Sequence, residues 1–154
     1  MDQVIYASLV RQAKALELLK ELLAEEYQVI CERNMEVVAG CEFSIQELIR
    51  QLVNEKEFVM DRLHGVRLRD YAEHLDPSEA KMILDLANSI DKNEQKASMQ
   101  ASLNCQLSLA LLDQNEKTLQ TLFKQAVPEK TFVYGRRGAM RAVAAQGALI
   151  SGRL

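Results

Sequence analysis

DPSEAKMILDLANSIDKNEQKASMQASLNCQLSLALLDQNEKTLQTLFKQA, residues 76–126, is the stretch that decides the fold. It opens with a helix-start signal, since Asp76 stands at the capping position, Pro77 at the first helical position and Glu79 at the third. Neither proline nor glycine occurs between Ser78 and Val127. We therefore predict one helix over residues 77–126, about 75 Å long at 1.5 Å per residue.

An apolar stripe runs along this predicted helix, but it is thin and has polar members. A helix of this length cannot bury its apolar side alone, so other helices must lie along it. The stripe consists of Ile83, Leu86, Ile90, Ala97, Ala101, Asn104, Leu111 and Leu122.

Two further helices are predicted upstream, because aliphatic residues recur there every seven positions. Asn34 is a suitable cap for the second of them, although one unbroken helix through this point is the alternative. Gly65 either ends the second helix or kinks it. The recurring residues are Leu9, Leu16, Leu23 and Ile30 in a helix over about 3–32, and Val38, Ile45, Leu52 and Val59 in a helix over about 35–64.

Residues 1–126 are therefore predicted to form an all-α domain, an elongated antiparallel three-helix bundle with coiled-coil-like packing. No β-sheet is expected. The asparagines of the third helix allow two interpretations. A buried asparagine in a helical seam fixes the register. Alternatively, this half of the helix has no permanent partner, and Asn104, Leu111 and Asn115 line a groove left open for one.

The closing segment, residues 127–154, differs from everything before it. Pro128 cannot continue a helix, and four of the six glycines of the chain lie here. "TFVYG" (131–135) is compatible with a short extended stretch. One helical face is nonetheless present, formed by Met140, Val143, Gly147 and Ile150, with Leu149 and Leu154 adding apolar surface. We predict a flexible segment that becomes helical when it binds a partner.

Charge also separates this segment from the body of the chain. Residues 128–154 hold five basic side chains and one acid, a net charge of +4. Since the whole chain carries −3, the remainder carries −7. "YGRRG" would suit an Arg/Gly segment for nucleic acid, but the acidic body and the apolar residues of the segment argue against such a partner.

Composition and motifs argue against a membrane protein, a metal protein and an enzyme. The first residues lack the pattern of a signal peptide, and no apolar stretch reaches membrane-spanning length. Three cysteines without C-x-x-C spacing favour small buried side chains in a reducing cytosol. His64 and Asp61 share a predicted helix face, but a metal site needs a second such pair. A phospho-accepting His64 is an alternative, yet no catalytic residue, cofactor or metal is expected.

Three features taken in order resemble one family. They are the leucine-rich "ELLAEEYQVICERNMEVV" (21–38), the stretch "LNCQLSLALL" (103–112), and a tail in which Tyr134 precedes Gly138 by four positions. Together they resemble the FlgN-type flagellar export chaperones, cytosolic helical proteins of bacteria that escort hook–filament junction proteins to the type III secretion apparatus. Ala139 stands where that family often has a basic residue, and Arg141 follows later.

The resemblance implies a role for the tail. In that family the C-terminal region binds cargo, which implies cargo-binding roles for Tyr134, Gly138, Met140, Arg141, Val143, Gly147, Leu149 and Ile150. It implies junction proteins with amphipathic terminal helices as partners, possible contacts with the export apparatus, and a cytoplasmic location. A homodimer is left open. The alternative is a non-catalytic helical scaffold or signalling bundle whose tail mediates self-association.

Overall fold

The computed structural model describes residues 2–126 and, in the closing segment, residues 132–134 and 140–142. Within these residues the chain forms four helices and two short strands. The helices are α1 (Gln3–Glu32), α2 (Met35–Arg62), α3 (Leu68–Glu73) and α4 (Pro77–Ala126), and the strands are β1 (Phe132–Tyr134) and β2 (Met140–Ala142). The prediction of an all-α helical bundle is confirmed.

A tight turn separates α1 from α2, so the unbroken helix is excluded. Arg33 adopts a left-handed backbone conformation with φ of 58°, and its N–H donates to the carbonyl of Ile30 over 3.0 Å. Asn34 then caps α2, because its side-chain oxygen accepts the N–H of Val37 at 3.4 Å. A residue at positive φ followed by a polar cap is sufficient to end one helix and begin the next.

The segment after α2 differs from the prediction in two ways. α2 ends at Arg62, and both His64 (φ 50°) and Gly65 (φ 80°) adopt positive φ angles. Asp61 and His64 therefore do not share a helix face, which corrects that expectation. The short helix α3 follows, and periodicity could not reveal it because six residues are too few. Its Ala72 is buried, and the Tyr71 hydroxyl accepts the backbone N–H of Asp2 at 3.0 Å.

The four helices share one apolar core. The backbones of α1 and α2 approach within 8 Å and run antiparallel, since Ser8 meets Glu55 while Leu23 and Ile45 line a common cavity. α4 contacts this pair through side chains and runs parallel to α1. The buried core residues are Ile5, Leu9, Leu16, Leu19 and Leu23 of α1, Cys41, Ile45, Leu52 and Val59 of α2, Leu63, Ala72 of α3, and Ile83, Ile90 and Ala97 of α4.

The chain divides into two compact units, Met1–Ser108 and Leu109–Leu154. The first contains the core just described. In the second, α4 continues to Ala126, and the two strands follow as an antiparallel pair. The sequence predicted a domain boundary after residue 126. That residue is the last of α4, whereas the division between the two compact units falls after Ser108.

The strands correct one expectation about the closing segment. β1 and β2 pair with Phe132 opposite Ala142, Val133 opposite Arg141 and Tyr134 opposite Met140. A sheet was not expected. Met140 lies in β2, and the helical form of this segment on a bound partner stays a prediction. Aromatic and β-branched residues such as those of "TFVY" favour strands, which agrees with the extended stretch expected there.

Candidate partner-binding surface

The last five turns of α4 carry large apolar side chains that are mostly exposed. Their exposed fractions are 59% for Leu109, 63% for Leu112, 53% for Leu119, 55% for Leu122 and 66% for Phe123. We call these five residues the C-terminal apolar face. Single exposed apolar residues are common on protein surfaces, but a contiguous group of this kind is typical of a surface that binds another protein.

The C-terminal apolar face follows a heptad. Leu112 and Leu119 take position a, Leu122 takes position d, and Leu109 and Phe123 take position e. Apolar residues at positions a, d and e form a face as wide as that of a helix packed in a bundle. This face is broader than the seam of a two-stranded coiled coil, which uses positions a and d alone. The opposite side of the helix is polar and is supported by an ion pair from Lys117 to Asp113 at 2.6 Å. This part of α4 is amphipathic, and its apolar side is exposed among the described residues.

Asn104, the first of the predicted groove residues, lies inside the bundle. Its amide nitrogen donates to the carbonyl of Leu23 at 2.7 Å and to Oε2 of Glu26 at 2.6 Å. Gln100 donates to its oxygen at 3.0 Å. Asn104 therefore fixes α4 against α1, as the register interpretation requires. Leu111 is half-buried and Asn115 is exposed.

Asn104 also lines a surface cavity of about 320 Å³. Its walls are formed by Leu23, Glu26, Glu42, Ile45, Ala101, Asn104, Cys105 and Ser108. Burial raises the pKa of Glu26, the negative charge of Glu42 raises it further, and the hydrogen bond from Asn104 acts in the opposite direction. The cavity is acidic, and its deepest carboxyl group holds a proton more tightly than an exposed glutamate does.

Replacing Glu26 by glutamine should change how stability depends on pH. A raised pKa means that the folded state binds the proton more tightly, so stability decreases as the pH rises from the ordinary value of 4.5 through the folded pKa. Wild type and Glu26→Gln should therefore be similarly stable at about pH 4, whereas the variant should be the more stable at about pH 8. Urea unfolding at both pH values measures the difference, with the exposed Glu25→Gln as the matched control. A constant difference between the pH values would contradict the assignment.

A second polar cluster fastens α1 to α2. The buried Ser8 hydroxyl donates to the carboxylate of Glu55, and Arg11 donates to both oxygens of that carboxylate at 2.6 and 2.9 Å. The hydrogen bond from Arg11 lowers the pKa of Glu55, so the carboxylate is charged near neutral pH. All three groups are satisfied by one another. This cluster stabilises the packing of α1 against α2. Because the Glu55 carboxylate is paired with Arg11, it is not available as a general base for Ser8.

The predicted tail residues divide into two groups. Tyr134 lies in β1, while Met140 and Arg141 lie in β2. Gly138, Val143, Gly147, Leu149 and Ile150 lie outside the described residues. The sequence interpretation placed the candidate site in the tail and in a groove on α4, and of the C-terminal apolar face it named Leu122 alone. The sequence does contain a signal for a helical face here, because positions 112, 115, 119, 122 and 126 are separated alternately by three and four residues.

Two kinds of feature are absent from the described residues. No three histidine, cysteine, aspartate or glutamate side chains there form a group that could hold a metal ion. No helix in the same residues has the length and apolar character needed to cross a membrane.

Comparison with models of protein families gives a match over most of the chain. A family model described as FlgN protein matches residues 1–142, which include all four helices and both strands. No curated protein and no solved structure matches the chain.

Proposed function

This chain belongs to the FlgN family and is a flagellar export chaperone, and we propose that its cargo is the hook–filament junction proteins. In this proposal the C-terminal part of the chain binds the amphipathic terminal helices of these proteins in the bacterial cytosol. The bound cargo cannot assemble early, and it is delivered to the type III secretion apparatus.

The C-terminal apolar face is the observation that carries the proposal. A cargo helix whose own apolar side would otherwise drive assembly can bury that side against Leu112, Leu119 and Leu122. Helix-in-groove recognition of this kind uses anchors at spacings of three and four residues. The face offers such anchors along about four turns.

The tail is proposed to complete the site. Its apolar residues Val143, Leu149 and Ile150 would cover a second side of the cargo helix once the segment becomes ordered. Arg136, Arg137 and Arg141 give the segment a positive charge that favours acidic cargo surfaces and speeds encounter. Contact on two sides would hide more of the cargo helix than α4 alone.

The binding strength should be moderate. Burial of apolar surface contributes about 25 cal/mol per Å², but association and the ordering of the tail oppose it. We expect a dissociation constant in the micromolar range. A chaperone that must release its cargo at the export apparatus is served by such an affinity.

Calorimetric titration with junction-protein peptides tests the proposal. The ligands are synthetic peptides of the N-terminal and C-terminal helices of a hook–filament junction protein from the same bacterium, and scrambled peptides of equal composition serve as controls. We expect one peptide to bind with 1:1 stoichiometry and a negative heat-capacity change, the mark of apolar burial. Absence of binding by both peptides and by the intact junction protein would refute this choice of cargo.

A further inference from the structure

Three asparagines of α4 recur at an interval of eleven residues. They are Asn93, Asn104 and Asn115. Eleven residues make about three turns of an α-helix, so the three side chains lie nearly in one line along its surface. An asparagine at regular positions on the apolar side of a helix is costly for stability unless each amide has a partner.

The first two asparagines have partners on α1. Asn93 is buried, and its side-chain oxygen accepts the ammonium group of Lys20 at 2.8 Å. Asn104 is buried as well, and it donates to the carbonyl of Leu23 and to Glu26. At both positions α4 meets a polar group that an adjacent helix supplies. Such pairs fix how two helices align, because a shifted alignment leaves the amide unpaired.

Asn115 is the next asparagine at this interval, but its side chain has no hydrogen-bond partner on α1. It is exposed, and no side chain or backbone group among the described residues forms a hydrogen bond with its side-chain amide. It lies at position d of the heptad, between the leucines at 112, 119 and 122 of the C-terminal apolar face. Any helix that covers this face also covers Asn115.

We infer that Asn115 determines the register and the specificity of partner binding, and that the partner is an amphipathic helix with a hydrogen-bonding side chain in its apolar seam. An amide, hydroxyl or carboxylate group opposite Asn115 plays the part that Lys20 and Glu26 play upstream. A partner with leucine at this point buries the Asn115 amide unpaired, which weakens binding. The identity of the partner as an export cargo rests on the proposed function, whereas the role of Asn115 rests on the C-terminal apolar face itself.

Designed peptides test the inference without a natural cargo. The parent is an amphipathic helix with an all-leucine seam, and each of four derivatives carries one asparagine at a different seam position. Each peptide is titrated against the full wild-type chain, against Asn115→Leu and against Gln120→Leu, a matched change on the polar side of α4. We expect wild type to bind one derivative about tenfold more tightly than the parent. Asn115→Leu should reverse this preference, and Gln120→Leu should keep it.

Two results would overturn the inference. One is the same order of affinities for wild type and Asn115→Leu, and the other is failure of all five peptides to bind wild type. Neither result decides the proposed function, which depends on the separate titration with junction-protein helices. If those helices bind wild type and Asn115→Leu equally while the peptide order is unchanged, the chaperone proposal survives and the role of Asn115 does not.

Discussion

Replacing Leu119 and Leu122 together by aspartate is expected to weaken cargo binding by a factor of at least about 100. Each leucine that is buried in the complex contributes about 1.5–3 kcal/mol, and about 1.4 kcal/mol corresponds to a tenfold change in affinity. A carboxylate at either position would also lose its hydration on binding and find no partner in an apolar seam. Both side chains are more than half exposed in the free protein, so the core of the bundle does not depend on them.

A double variant on the other side of α4 is the matched control. Gln120→Asp with Thr121→Asp adds the same two charges at neighbouring positions that point away from the C-terminal apolar face. Calorimetry with the same cargo should show nearly unchanged affinity for this control. Circular dichroism should show similar helicity for both double variants, since aspartate costs only tenths of a kcal/mol relative to leucine in a helix. Equal affinities for the two variants would mean that cargo binds elsewhere.

The helices were readable from the sequence because their signals are local and long. Asp76 and Pro77 mark the start of α4, and Asn34 marks the start of α2, each by backbone chemistry within one turn. The seven-residue recurrence of Leu9, Leu16 and Leu23 identified a face that is buried in the structure. Periodicity of this length leaves few alternatives to a helix.

Other features depend on contacts that one sequence does not reveal. α3 is too short to show a period, and it packs through Ala72 against residues distant in the chain. Asn104 allowed two interpretations until the partner atoms of Leu23 and Glu26 were located. The pairing of β1 with β2 also could not be predicted, because neither segment has the strong apolar alternation that fixes the register of two strands.

The C-terminal apolar face was only partly predicted from the sequence. The apolar stripe predicted for α4 contains Leu111 and Leu122 but not the intervening Leu119. Apolar periodicity shows that a face exists, but it does not tell whether that face is covered within the chain or left open for a partner. The exposed fractions of its side chains show that the described residues leave this face largely exposed.

Removal of residues 127–154 is expected to reduce cargo binding below detection while the helices remain. The shortened chain keeps α1 to α4 whole, and the core residues all precede the cut. It loses the apolar residues that are proposed to cover the second side of the cargo helix, together with a net charge of +4 that lies in residues 128–154. Circular dichroism should accordingly show nearly the full helical signal of the intact protein.

The direct measurement is a calorimetric titration of residues 1–126 with the junction-protein helix that the full chain binds, at equal concentrations. We expect no heat beyond dilution from the shortened chain and a 1:1 binding isotherm from the intact one. The same affinity for both chains would contradict the central claim that the closing segment helps to hold the cargo.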